Sequence, residues 1–232
     1  MKKVAVLQSN YIPWKGYFDI IHDADLFIFY DEVQFTKNDW RNRNILRSPA
    51  GLRWISVPVG KKISRTIDNV PLLDKTWQHK HWQQITDYYK KAPFFSQYRE
   101  FFEDIYLVKK WEYLHELNQH LIQSISKDLL RIQTKFAISR HYESTTVGHE
   151  KLLSLLKSAE AEEYISGPAA KHYIIESDYK AANIKLKWKE YQGYPEYPQQ
   201  FDYPFEHGVS ILDLLFNVGE DATWYIWGWR TK

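Results

Sequence analysis

Two short apolar runs, residues 3–7 and 26–30, are separated by a polar and aromatic loop and then a helically spaced apolar stretch, residues 16–21. Strand, loop, helix and strand within about 30 residues make the opening of a βαβ unit, which points to an α/β sheet with parallel neighbours. Ligands usually bind where a loop leaves the carboxyl end of a strand in such a sheet. The loop beginning at Gln8 is therefore the first place to look for function.

Further along, residues 54–59 read as a third strand, because Trp54, Ile55 and Val57 surround Ser56 before Pro58 and Val59 close the run. Three helical patterns follow, about 75–91, 97–106 and 111–128. The last carries Leu114, Leu117, Leu121, Ile122 and Ile125 on one stripe. From Arg131 the β/α order resumes: strands near 132–138, 163–166 and 184–188, and helices at 150–159 and 169–176, the latter started by Pro168. Residues 191–205 read as an ordered loop, and 210–217 as a short helix before an aromatic tail. No repeat or Gly/Ser-rich linker interrupts this order. The expectation is one α/β domain over 1–232, Rossmann-like with a mostly parallel sheet, carrying an inserted helical block at about 74–128.

Composition narrows the chemistry. The chain has 232 residues and no cysteine, which excludes disulfides, thiolate metal sites and a cysteine nucleophile. With 31 Lys+Arg against 29 Asp+Glu the net charge is only +2, so nucleic acid is not the default partner. The apolar run after Lys3 stops at Gln8, too short for a signal peptide, and nothing approaches the roughly 18 apolar residues of a membrane span. A cytoplasmic protein without membrane insertion is expected. Aromatic residues reach 17%, which suits either a ring-rich core or a cleft that stacks flat or sugar-like ligands.

Three constellations carry candidate chemistry. The first loop packs Gln8, Asn10, Tyr11 and Lys15 ahead of Gly16, which at a helix start would let a ligand approach the backbone N–H groups. It lacks the glycines of a Walker loop or a dinucleotide fingerprint. The second follows the second strand: Asp31, Gln34, Lys37, Asn38, Asp39, Trp40, Arg41, Asn42, Arg43 and Asn44, a mixture suited to a hydroxyl-rich or phosphorylated ligand. The third is Ser166-Gly167-Pro168, which offers a hydroxyl and backbone donors without the glycine pattern of a hydrolase nucleophile elbow. His79 and His81, two apart, do not share a helical face, which disfavours a metal pair and leaves a lone histidine as a proton carrier.

At these residues the chain resembles the WbqC-like family. The resemblance rests on Gln8-Ser9-Asn10-Tyr11-Ile12-Pro13-Trp14-Lys15-Gly16-Tyr17-Phe18, Asp31 with Val33-Gln34-Phe35, Trp40-Arg41-Asn42-Arg43, Lys80-His81, Lys91-Ala92-Pro93-Phe94-Phe95, Ser166-Gly167-Pro168, Tyr197-Pro198-Gln199 and the run from Ser210 to Gly219. Ser9 stands where proline is expected, and Lys15 where a less polar residue is. The positions that match family blocks are Gln8, Asn10, Tyr11, Pro13, Gly16, Asp31, Gln34, Lys37, Trp40, Arg43, His81, Gly167 and Asp213.

The family is associated with bacterial O-antigen and other surface-glycan gene clusters. That setting implies an acyl or aminoacyl transferase of glycyl type, N-acylating a nucleotide-linked amino sugar in surface-polysaccharide biosynthesis. In that scheme His81 is the catalytic base, with Asp31 orienting it or acting as a rival base. Gln8 and Asn10 would donate to the oxyanion and Lys37 and Arg43 hold phosphate, while Tyr11, Lys15, Gln34, Trp40, Ser166 and Gly167 complete the substrate site. No metal or firm cofactor is implied. The donor is left open among a thioester, an acyl carrier, an aminoacyl-tRNA and an adenylate, and without cysteine a direct attack on it is expected. The alternatives are an ATP-dependent ligase or nucleotidylyltransferase that activates an amino acid, and a non-catalytic sugar- or partner-binding subunit.

Overall fold

The structure, a computed structural model, describes residues 1–142 and 147–231. Strand β1 (Lys3–Leu7) buries Val4, Ala5 and Val6, as a strand covered on both faces must. It leads through helix α1 (Lys15–Asp23) to β2 (Leu26–Phe29), which pairs with it in parallel, Val4 opposite Leu26. Strands β5 (Lys135–Ile138), β6 (Glu163–Ser166) and β7 (Lys185–Trp188) complete a five-stranded, all-parallel sheet in the order β5-β2-β1-β6-β7. The expected α/β, Rossmann-like fold is the one observed.

Successive side chains point to opposite faces of the sheet and feed two cores. Ala5, Phe27, Phe29 and Ile165 face α1, the helical segments after β2, and α7 (Ile211–Val218). Val4, Val6, Leu26, Ile28 and Tyr164 face α5 (Gly148–Ser158) and α6 (Glu176–Ala181). Helices α2 (Trp77–Tyr89), α3 (Phe95–Glu103) and α4 (Leu114–Ser124) stand between β2 and β5, and α3 and α4 each run on into a wider π-type turn. The predicted stripe on α4 is buried.

Two regions depart from the sequence reading. The third strand is β4 (Gly51–Ser56), and it lies outside the parallel sheet, in an antiparallel hairpin with an unforeseen β3 (Arg43–Ser48). Arg43, Asn44 and Arg47 gave β3 the look of a loop, yet Asn44 and Arg47 are buried and bonded. Asn44 donates to the carbonyls of Tyr11 and Ile12 at 3.0 and 2.9 Å, and Arg47 donates to those of Gln200, Phe201, Tyr203 and Pro204. That clamp holds the 200–204 end of the loop expected at 191–205. The helix expected at 169–176 is instead a 3₁₀ turn, Pro168–His172, followed after extended Ile175 by α6. Adjacent β-branched Ile174 and Ile175 oppose continuation of a helix there.

Candidate active site

From β1 the chain builds outward through β2 and β5, then returns to the other side of β1 for β6 and β7. That reversal leaves a crevice beyond the carboxyl ends of β1 and β6. A cleft of about 600 Å³ occupies it, walled by Leu7, Gln8 and Asn10 after β1, Glu32 and Gln34 after β2, and Ser166 and Gly167 after β6. Arg41 and the first turn of α5 close its sides.

The polar wall of the cleft is built by Arg41. Its guanidinium donates to Asn10 Oδ1 and Gln8 Oε1, so the fork fixes the orientation of both amides and turns their N–H₂ groups into the available donors. The Arg41 segment is itself pinned, since Tyr11 N–H donates to Trp40 O at 2.9 Å and Asn118 Nδ2 to Arg41 O at 2.8 Å. Opposite, Lys151 on α5 pairs with Glu32 at 3.3 Å. Beside it His149 donates from Nε2 to Asp178 Oδ2 at 3.1 Å, and its Nδ1 finds no partner among the described residues.

Asn10 also lines a second hollow, about 180 Å³, between the indoles of Trp14 and Trp40 with Asn44 and Gly208 at its edges. Trp14 is wedged in place by Tyr191 and Tyr194 on one side. On the other it lies so close to Gly16 that a Cβ there would overlap the indole. Gly16 was expected to bring a ligand near the backbone, and here it makes room for Trp14. Trp40 is 41% exposed and packs on Trp54, over which the Arg43 guanidinium also lies, 3.9 Å from the ring centre.

The remaining predicted residues take other places. His81 and Asp31, expected to work together, share no hydrogen bond or ion pair, and neither lines the cleft. His81 is 6% exposed on α2, with Nε2 3.2 Å from Ser56 O and Nδ1 2.8 Å from Tyr11 Oη. A carbonyl only accepts, so Nε2 carries the proton, Tyr11 donates to Nδ1, and Tyr106 donates to Tyr11 at 2.7 Å. Burial pushes its pKa down to about 4. Both nitrogens of the expected base are thus committed inside the core, and Tyr11 with them. The signal was in the sequence: Trp77, His81, Ile85 and Tyr89 repeat every four residues along the buried face of α2.

Asp31 is a brace. Its oxygens accept from Ser9 N–H at 2.7 Å and Gln119 Nε2 at 2.8 Å, and burial raises its pKa. Lys15, expected at the substrate, is 2% exposed and sits over the rings of Tyr194, Tyr197 and Phe205, where burial lowers its pKa to about 8. Lys37 is exposed on the loop after β2 and Arg43 is committed to Trp54, so neither expected phosphate ligand lines the cleft. Gln34 lies at the rim, bonded to Ile63 O at 2.5 Å. Glu32, His149 and Lys151 were not singled out as site residues, and Arg41, named in the second constellation, was given no role. Arg41 stood inside a quoted motif and Glu32 beside Asp31, whereas nothing local marks His149 and Lys151.

Among the described residues, no helix is long and apolar enough to cross a membrane, and no group of three or more His, Cys, Asp or Glu could hold a metal ion. No solved structure matches the chain. A protein of Mycobacterium tuberculosis (strain ATCC 25618 / H37Rv), described as uncharacterized protein Rv1507c, is 43% identical over 233 residues, covering 97% of this chain and 98% of that one. The profile of the WbqC-like protein family matches residues 8–225, and the chain therefore belongs to that family.

Proposed function

We propose that the chain is an N-acyltransferase of surface-glycan biosynthesis, moving an aminoacyl group such as glycyl onto the amine of a nucleotide-linked sugar. The observation that carries this reading is the Arg41 fork, which presents two oriented amides, Gln8 and Asn10, where the main cleft meets the indole hollow. Acyl transfer to an amine needs fixed donors for a developing oxyanion and a base for the amine proton. The two amides fill the first role. The His81 nitrogens are committed elsewhere, and His149 Nδ1 is buried and His149 does not line the indole hollow, so in this reading the departing thiolate or alkoxide itself takes up the amine proton.

The amine nitrogen attacks the donor carbonyl, the new C–N bond forms and the bond to the donor's thiol or hydroxyl breaks. The amine proton ends on the leaving group. The nucleotide occupies the larger cleft, with Arg41, Lys151 and the Gly167 backbone near the phosphates. The sugar lies in the hollow against Trp14 and Trp40. Nucleotide sugars and activated acyl donors are made in the cytoplasm, which is where the reaction belongs.

The test is thermal unfolding of the pure protein with nucleotide amino sugars, acyl-CoA thioesters and ATP–Mg, followed by mass spectrometry of acceptor and donor mixtures for the new amide. A ligand at about 100 times its Kd adds roughly 2.7 kcal/mol of stability. Stabilisation by a nucleotide amino sugar and an amide product lost in Arg41→Met support the transferase. Stabilisation by ATP–Mg alone, with pyrophosphate exchange, overturns it in favour of a ligase.

A further inference from the structure

Two carboxylates follow β2 in sequence, and they have opposite fates. Asp31 is 4% exposed with both oxygens occupied by Ser9 N–H and Gln119. Glu32 lines the cleft with its side chain 24% exposed; Oε2 is held 3.3 Å from Lys151 Nζ, and Oε1 is buried with no hydrogen-bond partner among the described residues. Numbered by their order within the sheet, the five strands run 3-2-1-4-5, so Glu32 stands just past the second strand beside the reversal point. In α/β sheets of that order, a carboxylate there accepts hydrogen bonds from the ribose of a nucleotide bound across the first strand.

We infer that Glu32 is the ribose-reading residue of the cleft and makes it selective for ribonucleotides over 2′-deoxyribonucleotides. The inference rests on the proposed function, because it supplies the nucleotide half of that substrate. The Lys151 ammonium anchors one carboxylate oxygen, which limits the side-chain entropy lost when the carboxylate takes up a hydroxyl, and the buried, unsatisfied Oε1 is the acceptor that gains a partner. Tyr30, which follows β2 directly, and Tyr173 wall the same side of the cleft and offer faces for a base attached to that ribose. With no glycine in residues 8–14, the first loop meets the phosphates through side-chain amides and Arg41, leaving discrimination between sugars to Glu32.

The experiment is isothermal titration of the full chain with the uridine, adenosine, guanosine and cytidine diphosphates, each beside its 2′-deoxy form. The wild type is expected to bind the ribo form of its preferred base about tenfold more tightly, the scale of one hydrogen bond to a charged acceptor. In Glu32→Ala and Glu32→Gln the ribo affinity falls toward the deoxy value, while the deoxy affinity stays where it was. A purely structural ion pair would weaken both forms equally in these variants, and that result overturns the inference. Equal wild-type binding of ribo and deoxy forms also overturns it and leaves the transferase standing. If no diphosphate binds the wild type, the inference and the transferase reading fall together.

Discussion

Replacing His81 by Gln separates a structural histidine from a catalytic one. The imidazole is neutral in the fold, donating to Ser56 O and accepting from Tyr11, and burial holds its pKa near 4 against 6.5 when exposed. A base whose folded pKa is depressed adds stability that is complete above the unfolded value and is lost as pH falls toward the folded one. The span from 6.5 down to about 4 corresponds to about 3 kcal/mol, of which about 2 kcal/mol is gone by pH 5. Gln has no titration there and keeps a donor for Ser56 O and an acceptor for Tyr11. Urea unfolding of both proteins at constant ionic strength should show wild type minus His81→Gln shrinking by about 2 kcal/mol between pH 7.5 and pH 5. A difference that does not change with pH, or an NMR titration of His81 near 6.5, refutes the reasoning. An amide-forming activity that survives in His81→Gln while stability changes places the residue in the core on functional grounds too.

Asp213 titrates in the opposite sense: burial raises its pKa to about 6, so stability present below its ordinary 3.8 is lost as pH rises through 6. Asp213→Asn keeps an acceptor for Tyr197 and Gln199, which donate to Oδ2 at 2.8 Å, and relative to wild type it should gain about 2 kcal/mol between pH 4.5 and 7.5 in the same urea measurement. A flat difference counts against it. Arg41→Met frees the Gln8 and Asn10 oxygens to rotate. Affinity for a nucleotide sugar, measured by calorimetry, should drop at least about tenfold with a shallower salt dependence, and unchanged affinity would remove the fork from the binding site.

Much of the scaffold is legible in the chain because its physical causes are local. β1 and β2 are buried on both faces, so they read as short unbroken apolar runs, and the α4 stripe repeats at the helical period. Once the strands are ordered, the residues just past their ends, Gln8, Asn10, Ser166 and Gly167, fall at the cleft for topological reasons. Other features were decided only when distant segments met. Arg41 reaches back 31 residues to Asn10, and Lys151 is 119 residues from Glu32, so neither pair leaves a spacing to detect. The polar residues of β3 look solvated until Asn44 and Arg47 meet the carbonyls they satisfy, because a buried polar group is tolerated only where a partner arrives from elsewhere in the fold. Local periodicity could place His81 on the buried face of a helix, but only the tertiary structure, by setting Ser56 O and the Tyr11 hydroxyl against its two nitrogens, removed it from the chemistry.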